Sequence, residues 1–160
     1  MSDKKTAMEV ASRYLENRMR TVAEVRKKLQ EKEFSDEEIS ETINELIGLR
    51  YLDDYEYAKR YYAYSVEKRR GSLRAMRELE EKGVDKETIK FAYEDFVYET
   101  KVDELAIAKQ VAKAMLNADA EDYDSENREP FNEKMRGKIA RKLETRGFST
   151  SIIIRILNEM

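Results

Sequence analysis

The sequence of 160 residues contains no cysteine, no histidine and no tryptophan, and it has only one proline and five glycines. Without cysteine it can form no disulfide and no thiolate-ligated zinc or iron–sulfur site. Without histidine it lacks the usual general base and the commonest metal ligand. These absences exclude most familiar catalytic centres, so we predict a protein that is not an enzyme and that uses no cofactor or metal. The scarcity of proline and glycine favours helices.

No apolar run approaches the roughly 18 residues that a membrane-spanning helix requires. The polar start of the chain, Met1 to Lys5, does not resemble a signal peptide. We therefore expect a cytoplasmic protein without membrane association. The chain has 31 Lys and Arg against 34 Asp and Glu, a net charge of −3. This balance argues against unspecific coating of nucleic acid, so the placement of the basic residues matters more than their sum.

Apolar residues recur at helical spacing along almost the whole chain, and no segment sustains the alternation of a strand. The sequence therefore predicts an all-α protein. Three segments align with one another: VRKKLQEKEFSDEEI (25–39), AMRELEEKGVDKETI (75–89) and IARKLETRGFSTSII (139–153). A further helix fits ahead of each, which predicts three tandem three-helix repeats at 6–50, 51–100 and 101–160. Units of this size contact mainly their neighbours and predict an elongated, curved array.

Equivalent positions in the repeats predict buried residues and turns. Gly83 and Gly147 follow the middle helix of their repeats, where glycine readily adopts a left-handed turn. Glu33 holds this position in the first repeat, so that turn either differs or carries a cost of about 1 kcal/mol. Three leucines share one position and are expected to be buried: Leu29, Leu79 and Leu143.

Two sequence patterns predict helix N-termini: a hydroxyl residue followed three positions later by glutamate, and a pair of adjacent aspartates. Thr21 with Glu24, and Ser35 with Glu38, have the spacing of capping boxes. Adjacent carboxylates at 53–54 could serve a metal or acid/base chemistry. A helix N-cap is the preferred interpretation, because no histidine and no second matching carboxylate pair accompanies them.

An acidic segment from Asp119 to Glu129 precedes Pro130 and predicts a mobile loop over 118–130. Its spacing partly matches a calcium loop, with Asp122, Asp124, Glu126 and Glu133 at positions 1, 3, 5 and 12. Asn127 stands where that loop requires glycine, however, so a solvated loop is preferred to a calcium site. A second alternative is that the loop folds against the nearby basic segment.

Four strings closely resemble the RecX family, the regulators of the RecA recombinase: RMRTVAEVRKKL (18–29), YLDDYEYAKRY (51–61), RELEEKGV (77–84) and RKLETRGF (141–148). The resemblance runs from about Ala7 to the C-terminus. It implies an all-α protein of tandem three-helix repeats without a catalytic centre. It also implies binding in the groove of the RecA–single-stranded DNA filament, with reduced ATPase, strand-exchange and coprotease activities. Glu33 and Arg50 depart from the family pattern, which usually has glycine at both positions.

Basic residues recur at three positions of the repeat: Arg20, Arg70 and Lys134; Lys27, Arg77 and Arg141; Lys32, Lys82 and Arg146. Lys27 should point outward, because it lies about 200° around the helix from Leu29. Recurrence of this kind could meet a periodic partner such as phosphates or repeated protomers. Two stretches add further candidates: Lys68, Arg69 and Arg74 in the first, Lys138 and Lys142 in the second. The alternative is a solvated helix surface with weak ion pairs.

Tyrosines are concentrated between residues 51 and 64. Tyr57, Ala58, Tyr61, Tyr62 and Ser65 share one broad helix face, which we expect to be core. Tyr64 lies at the edge of that face and joins the basic residues above as a candidate contact, because an aromatic ring can stack on an unpaired base. The expected partner is the RecA nucleoprotein filament, and direct binding of single-stranded DNA is a secondary expectation. We expect the protein to be a monomer. A RecA-independent DNA-binding helical module is the alternative function.

Overall fold

The computed structural model describes residues 4–121 and 133–160, and over these residues it is built from helices alone. The all-α prediction, with three helices to each repeat, is confirmed. In chain order the helices are α1 (Ala7–Glu16), α2 (Val22–Glu31), α3 (Asp36–Gly48), α4 (Asp54–Glu67), α5 (Ser72–Glu81), α6 (Lys86–Thr100), α7 (Glu104–Glu121), α8 (Glu133–Arg146) and α9 (Thr150–Glu159).

The chain forms two compact units. The first comprises Met1–Arg60 and Glu78–Asp95, and the second comprises Tyr61–Arg77 and Phe96–Met160. Helices α4, α5 and α6 contribute residues to both units. The units therefore do not coincide with the sequence repeats, whose boundaries remain a prediction.

Each unit has its own apolar core. The core of the first unit is formed by α1, α2 and α3 together with Leu52, which is buried. In the second unit, residues of α7, α8 and α9 pack together with Phe148. Leu29, Leu79 and Leu143 are completely shielded from solvent, so the prediction for these equivalent leucines is confirmed.

The predicted acidic loop overlaps a helix at its start. Helix α7 continues to Glu121, so residues 118–121 are helical and the loop prediction was wrong there. A helix can persist at these positions because Ala118 and Ala120 alternate with the acidic side chains and alanine has the highest helix propensity. Of the residues invoked for a calcium loop, Glu133 begins α8, and Asp122, Asp124, Glu126 and Asn127 lie outside the described residues, as does Pro130.

The middle helix of every repeat ends in the same left-handed turn. In the first repeat the Phe34 N–H donates to the Leu29 carbonyl over 3.2 Å, and the Glu33 N–H donates to the Gln30 carbonyl over 2.9 Å. This pair of bonds defines a Schellman motif. Equivalent bonds end α5 and α8. The φ angles are +62° at Glu33, +86° at Gly83 and +95° at Gly147, so Glu33 keeps the turn and carries its cost.

Close packing explains why glycine is needed in two of these turns. A Cβ atom on Gly83 would lie 2.2 Å from the Ala23 Cβ, and one on Gly147 would lie 2.3 Å from the Arg74 Cβ. At the equivalent position of the first repeat, the turn accommodates the Cβ atom of Glu33. Position 33 therefore requires only an unusual φ angle, whereas Gly83 and Gly147 must also admit a neighbouring helix.

That neighbour is the N-terminal end of the preceding middle helix, and we call this contact the joint. In the first unit the Thr21 hydroxyl donates to the Lys82 carbonyl over 2.7 Å. In the second unit the Gly71 N–H donates to the Arg146 carbonyl over 2.7 Å, and the Leu73 N–H donates to the Gly147 carbonyl over 3.1 Å. Each unit thus contains one joint, in which the start of one middle helix packs against the end of the next middle helix.

An acidic side chain completes each joint. Asp54 at the start of α4 accepts the Val22 N–H over 2.9 Å. Glu104 at the start of α7 accepts the Ser72 N–H over 2.5 Å and the Ser72 hydroxyl over 3.0 Å. Amide donors at helix N-termini lack partners within the helix, and the helix dipole favours negative charge there. The first helix of a repeat therefore caps the middle helix of the repeat before it.

Replacing Glu33 by glycine should stabilise the protein. The φ angle of +62° costs a side-chain-bearing residue more than it costs glycine, so we expect Glu33→Gly to raise the free energy of unfolding by about 0.5–1 kcal/mol. Gln30→Gly is the matched control inside α2, where glycine should lower stability by about 1 kcal/mol. Denaturant titration measures both variants. A similar loss of stability in the two would contradict the assignment of strain to Glu33.

Adding a methyl group at Gly71 should have a much larger effect than adding one at Gly48. A Cβ on Gly71 would lie 2.3 Å from the Gly147 carbonyl oxygen, whereas a Cβ on Gly48 has open space around it. We expect Gly71→Ala to lower the free energy of unfolding by about 1–3 kcal/mol through overpacking of the joint. Gly48→Ala should raise it by about 0.5–1 kcal/mol. Equal effects in denaturant titration would show that the joint is looser than the structure indicates.

Candidate functional site

One of the three recurring basic positions is exposed in every repeat. Lys27 on α2, Arg77 on α5 and Arg141 on α8 all have exposed side chains. The outward direction expected for Lys27 from helical geometry is confirmed. These residues are available to a partner in each unit.

A second recurring position has a different environment in each repeat. The Arg20 side chain is only 13% exposed and lies 3.9 Å from the Glu24 carboxylate. Its guanidinium also stacks 4.0 Å from the centre of the Tyr14 ring. Arg70 is partly buried and Lys134 is exposed. Arg20 therefore stabilises the segment that precedes α2, and little of its side chain is accessible to a partner.

The third recurring position contributes to the joints. Lys32 is exposed, whereas Lys82 and Arg146 are partly buried and supply the joint carbonyls. The Arg146 side chain has a further role, because its Nη1 donates to the Lys68 carbonyl over 2.9 Å and lies 3.3 Å from the Arg69 carbonyl. Arg146 thus ties the end of α8 to the turn that follows α4.

That turn, Lys68–Arg69–Arg70, consists of three consecutive basic residues, and we call it the cationic turn. The Arg70 N–H donates to the Ser65 carbonyl over 2.8 Å, and the Arg69 N–H donates to the Val66 carbonyl over 2.9 Å. Arg69 has a φ of +56°. The turn is therefore another Schellman motif, in which Lys68 and Arg69 are exposed and Arg70 is partly buried.

Tyr64 lies beside the cationic turn and is 43% exposed. The Lys68 Nζ is 5.8 Å and the Arg70 Cζ is 5.7 Å from the centre of the Tyr64 ring, both within cation–π range. Of the face predicted to be core, Ala58, Tyr62 and Ser65 are buried, whereas Tyr57 and Tyr61 are only partly buried. Tyr62 stacks on Phe96 with ring centres 5.9 Å apart. Tyr64 is thus the one member of this group that combines exposure with neighbouring cations.

Most of the basic candidates have no acidic partner. Arg20 pairs with Glu24, but within the described part of the chain no ion pair involves Lys27, Lys32, Lys68, Arg69, Arg70, Arg77, Lys82, Lys134, Lys138, Arg141, Lys142 or Arg146. Arg74 is partly buried at the start of α5, against the joint. Among the described residues, the interlaced ion pairs of the solvated-surface alternative are therefore missing from these twelve positions, Arg74 not included. A surface of unpaired cations attracts polyanions.

The two adjacent aspartates are caps, as the sequence predicts. The Asp53 Oδ1 accepts the Glu56 N–H over 3.1 Å at the start of α4, while Asp54 caps α2. Burial raises the pKa of the Asp54 carboxyl above 3.8, although the hydrogen bond from Val22 acts in the opposite direction; nearby Asp85 raises it further. Over residues 4–121 and 133–160, acidic side chains form no cluster able to hold a metal ion.

Sequence reasoning missed Glu104, and although it named Arg146 as a basic candidate, it did not predict the structural role of that residue. Glu104 has a recognisable signal, because it follows Asp103 just as Asp54 follows Asp53, at the start of the equivalent helix. Arg146 has none, since the sequence does not distinguish it from Lys32 or Lys82 at the same repeat position. Its bonds to residues 78 and 77 positions away appear only in the fold.

The described helices include none that is both long and apolar enough to cross a membrane. A family model described as "RecX, first three-helix domain" matches residues 7–46, which correspond to α1–α3. The crystal structure of RecX from Lactobacillus salivarius superposes with a TM-score of 0.78 at 27% identity, covering 96% of this chain and 93% of that one. The chain belongs to the RecX family.

Further relatives of this RecX-family chain agree. The Regulatory protein RecX of Bacillus velezensis is 30% identical over 152 residues, which is 94% of this chain and 54% of that protein. The Bacillus subtilis protein of the same name is 28% identical over 148 residues, 92% of this chain and 52% of that protein. A second crystal structure, of regulatory protein RecX, shares the fold with a TM-score of 0.72 at 24% identity, covering 95% of this chain and 70% of that one. The chain spans about half the length of these curated relatives.

Variants at Asp54 separate the hydrogen-bond acceptor from its charge. Asp54→Ala removes the acceptor for Val22 and should lower the free energy of unfolding by about 1 kcal/mol. Asp54→Asn keeps an acceptor oxygen but cannot ionise. The pKa of Asp54 is raised in the folded protein, so protonation of this carboxyl stabilises the fold. This stabilisation is fully present below pH 3.8, the ordinary pKa of the group, and is lost as the pH rises through the folded pKa.

The Asp54→Asn variant lacks this loss. Its free energy of unfolding should therefore increase relative to that of the unaltered chain as the pH rises from about 3 to about 7. Denaturant titrations across this range measure the difference. A change of opposite sign would mean that the capping bond outweighs the cost of burying the charge.

Proposed function

We propose that this RecX-family chain binds along the groove of the RecA–single-stranded DNA filament and lowers its ATPase, strand-exchange and coprotease activities. The observation that carries the proposal is the match to the solved Lactobacillus salivarius RecX over nearly the full length of both chains. The curated relatives are named regulatory proteins, which fits control of another protein's activity. We further propose that the protein acts in the cytoplasm as a monomer without a cofactor.

The charge distribution supports binding to a polyanionic assembly. Lys27, Arg77 and Arg141 recur at one position of the repeat, are exposed and form no ion pair with any described residue, although the whole chain has a net charge of −3. Recurring cations suit a filament, because such a partner presents the same groups at regular intervals. A regulator of this kind needs shape and charge and no reacting group, in agreement with the absence of cysteine and histidine.

The test is ATP hydrolysis by the cognate RecA on single-stranded DNA, with this chain titrated in. We expect hydrolysis to fall at stoichiometric amounts. The paired substitution Arg77→Glu with Arg141→Glu should require severalfold more protein for the same inhibition, because it reverses charge at two exposed equivalent positions. Paired reversal of exposed Lys90 and Lys113, outside the candidate set, is the control. Unchanged hydrolysis with the unaltered chain would refute the proposal.

The second candidate function is a DNA-binding module that acts without RecA, favoured by the unpaired charges of the cationic turn. It requires tight binding to bare DNA that weakens steeply as salt rises. The net charge of −3 disfavours it relative to filament binding. Strong bare-DNA binding together with unchanged ATP hydrolysis would select this alternative.

A further inference from the structure

The cationic turn is held in its conformation before any ligand arrives. Its own Schellman bonds fix Arg69 and Arg70, and Arg146 Nη1 contacts the carbonyls of Lys68 and Arg69. The next residue, Gly71, donates its N–H to the Arg146 carbonyl. One arginine of α8 thus holds both sides of the turn, through its side chain and through its backbone. A preorganised site loses little entropy on binding.

The cationic turn and Arg146 together carry four positive charges. Lys68, Arg69, Arg70 and Arg146 take part in no ion pair within the described residues. The Arg146 Nε is buried and makes no hydrogen bond there, so the guanidinium is bonded only through Nη1. Neighbouring positive charges repel one another, and a bound anion relieves that repulsion. Arginine suits phosphate in particular, because its planar fork matches two oxygens at once.

Tyr64 adds a feature that a simple anion site lacks. Its ring is 43% exposed and lies within 6 Å of two of the same cations. Aromatic rings beside a basic groove stack on the bases of single strands without regard to sequence. A duplex keeps its bases stacked within the helix, and an acidic peptide has no base to place on Tyr64. The combination therefore favours a single-stranded nucleic acid over either.

We propose that Tyr64 and the cationic turn form a binding site for single-stranded nucleic acid. A phosphate lies against Lys68, Arg69 and Arg70, and the adjacent base stacks on Tyr64. Arg146 is a positioning residue, which holds the turn and does not itself supply the main contact. The inference deepens the proposed function by identifying which residues meet the DNA strand of the filament, but its test does not require RecA.

The test is a fluorescence-anisotropy titration of labelled oligo(dT), about 15 nucleotides long, with the full chain. We expect Tyr64→Leu to weaken binding about tenfold, because leucine keeps apolar bulk but cannot stack. Arg146→Lys should weaken it severalfold at unchanged net charge, since lysine lacks the guanidinium fork that spans two carbonyls. Lys113→Gln, at an exposed lysine of α7 in the same unit, should change affinity by less than about twofold.

Two further probes test the identity of the ligand. An abasic strand of the same length should bind as weakly to the unaltered chain as oligo(dT) binds to Tyr64→Leu, and oligoglutamate should not compete. Equal affinity for abasic and base-bearing strands, equal losses in Tyr64→Leu and Lys113→Gln, or effective competition by oligoglutamate would overturn the inference. Circular dichroism of Arg146→Lys checks that it is folded; if it is not, the Tyr64 variant and the abasic strand still decide.

The outcome is separable from that of the RecA assay. If the unaltered chain leaves RecA hydrolysis unchanged but binds oligo(dT) in a Tyr64-dependent way, the proposed function fails and this inference stands. If the chain inhibits RecA but oligo(dT) binding does not depend on Tyr64, the inference fails and the proposed function stands.

Discussion

The joint between successive middle helices is the contact on which the rest of the structure depends. Every helix leaves amide donors unpaired at its start and carbonyl acceptors unpaired at its end. In this protein the start of one middle helix meets the end of the next, and Asp54 or Glu104 accepts one further backbone N–H there. Burying these groups without partners would cost about 1–3 kcal/mol each. The joint removes that penalty and brings the helix ends close enough for Gly83 and Gly147 to be required.

The joints also explain how the structure departs from the repeat pattern. Each compact unit contains one joint, and the residues of the middle repeat are divided between the two units. A sequence repeat records which helices are alike, whereas a compact unit records which residues pack together. The two need not coincide when every repeat is bonded to the repeat that follows it.

Local chemistry made much of the fold predictable. The capping boxes at Thr21 and Ser35, the buried leucines and the left-handed turns depend on residues within a few positions of one another, and all are found. The Arg146 contacts and the Glu104 cap join residues far apart in the chain. The candidate surface was predictable in part for the same reason: helical phase places Lys27 outside, but it does not show that Arg20 lies against Tyr14.

Arg20 and Arg146 show why basic residues cannot be weighed by counting them. Arg20 has both a carboxylate and an aromatic ring beside it, so its charge is largely used within the fold. Arg146 bonds to backbone carbonyls, which are neutral, and therefore adds its charge to that of Lys68, Arg69 and Arg70. The charge of Arg20 is therefore neutralised locally, whereas the charge of Arg146 strengthens the positive potential around the cationic turn. In a chain with a net charge of −3, such placement allows a confined region to attract a polyanion while the protein as a whole does not.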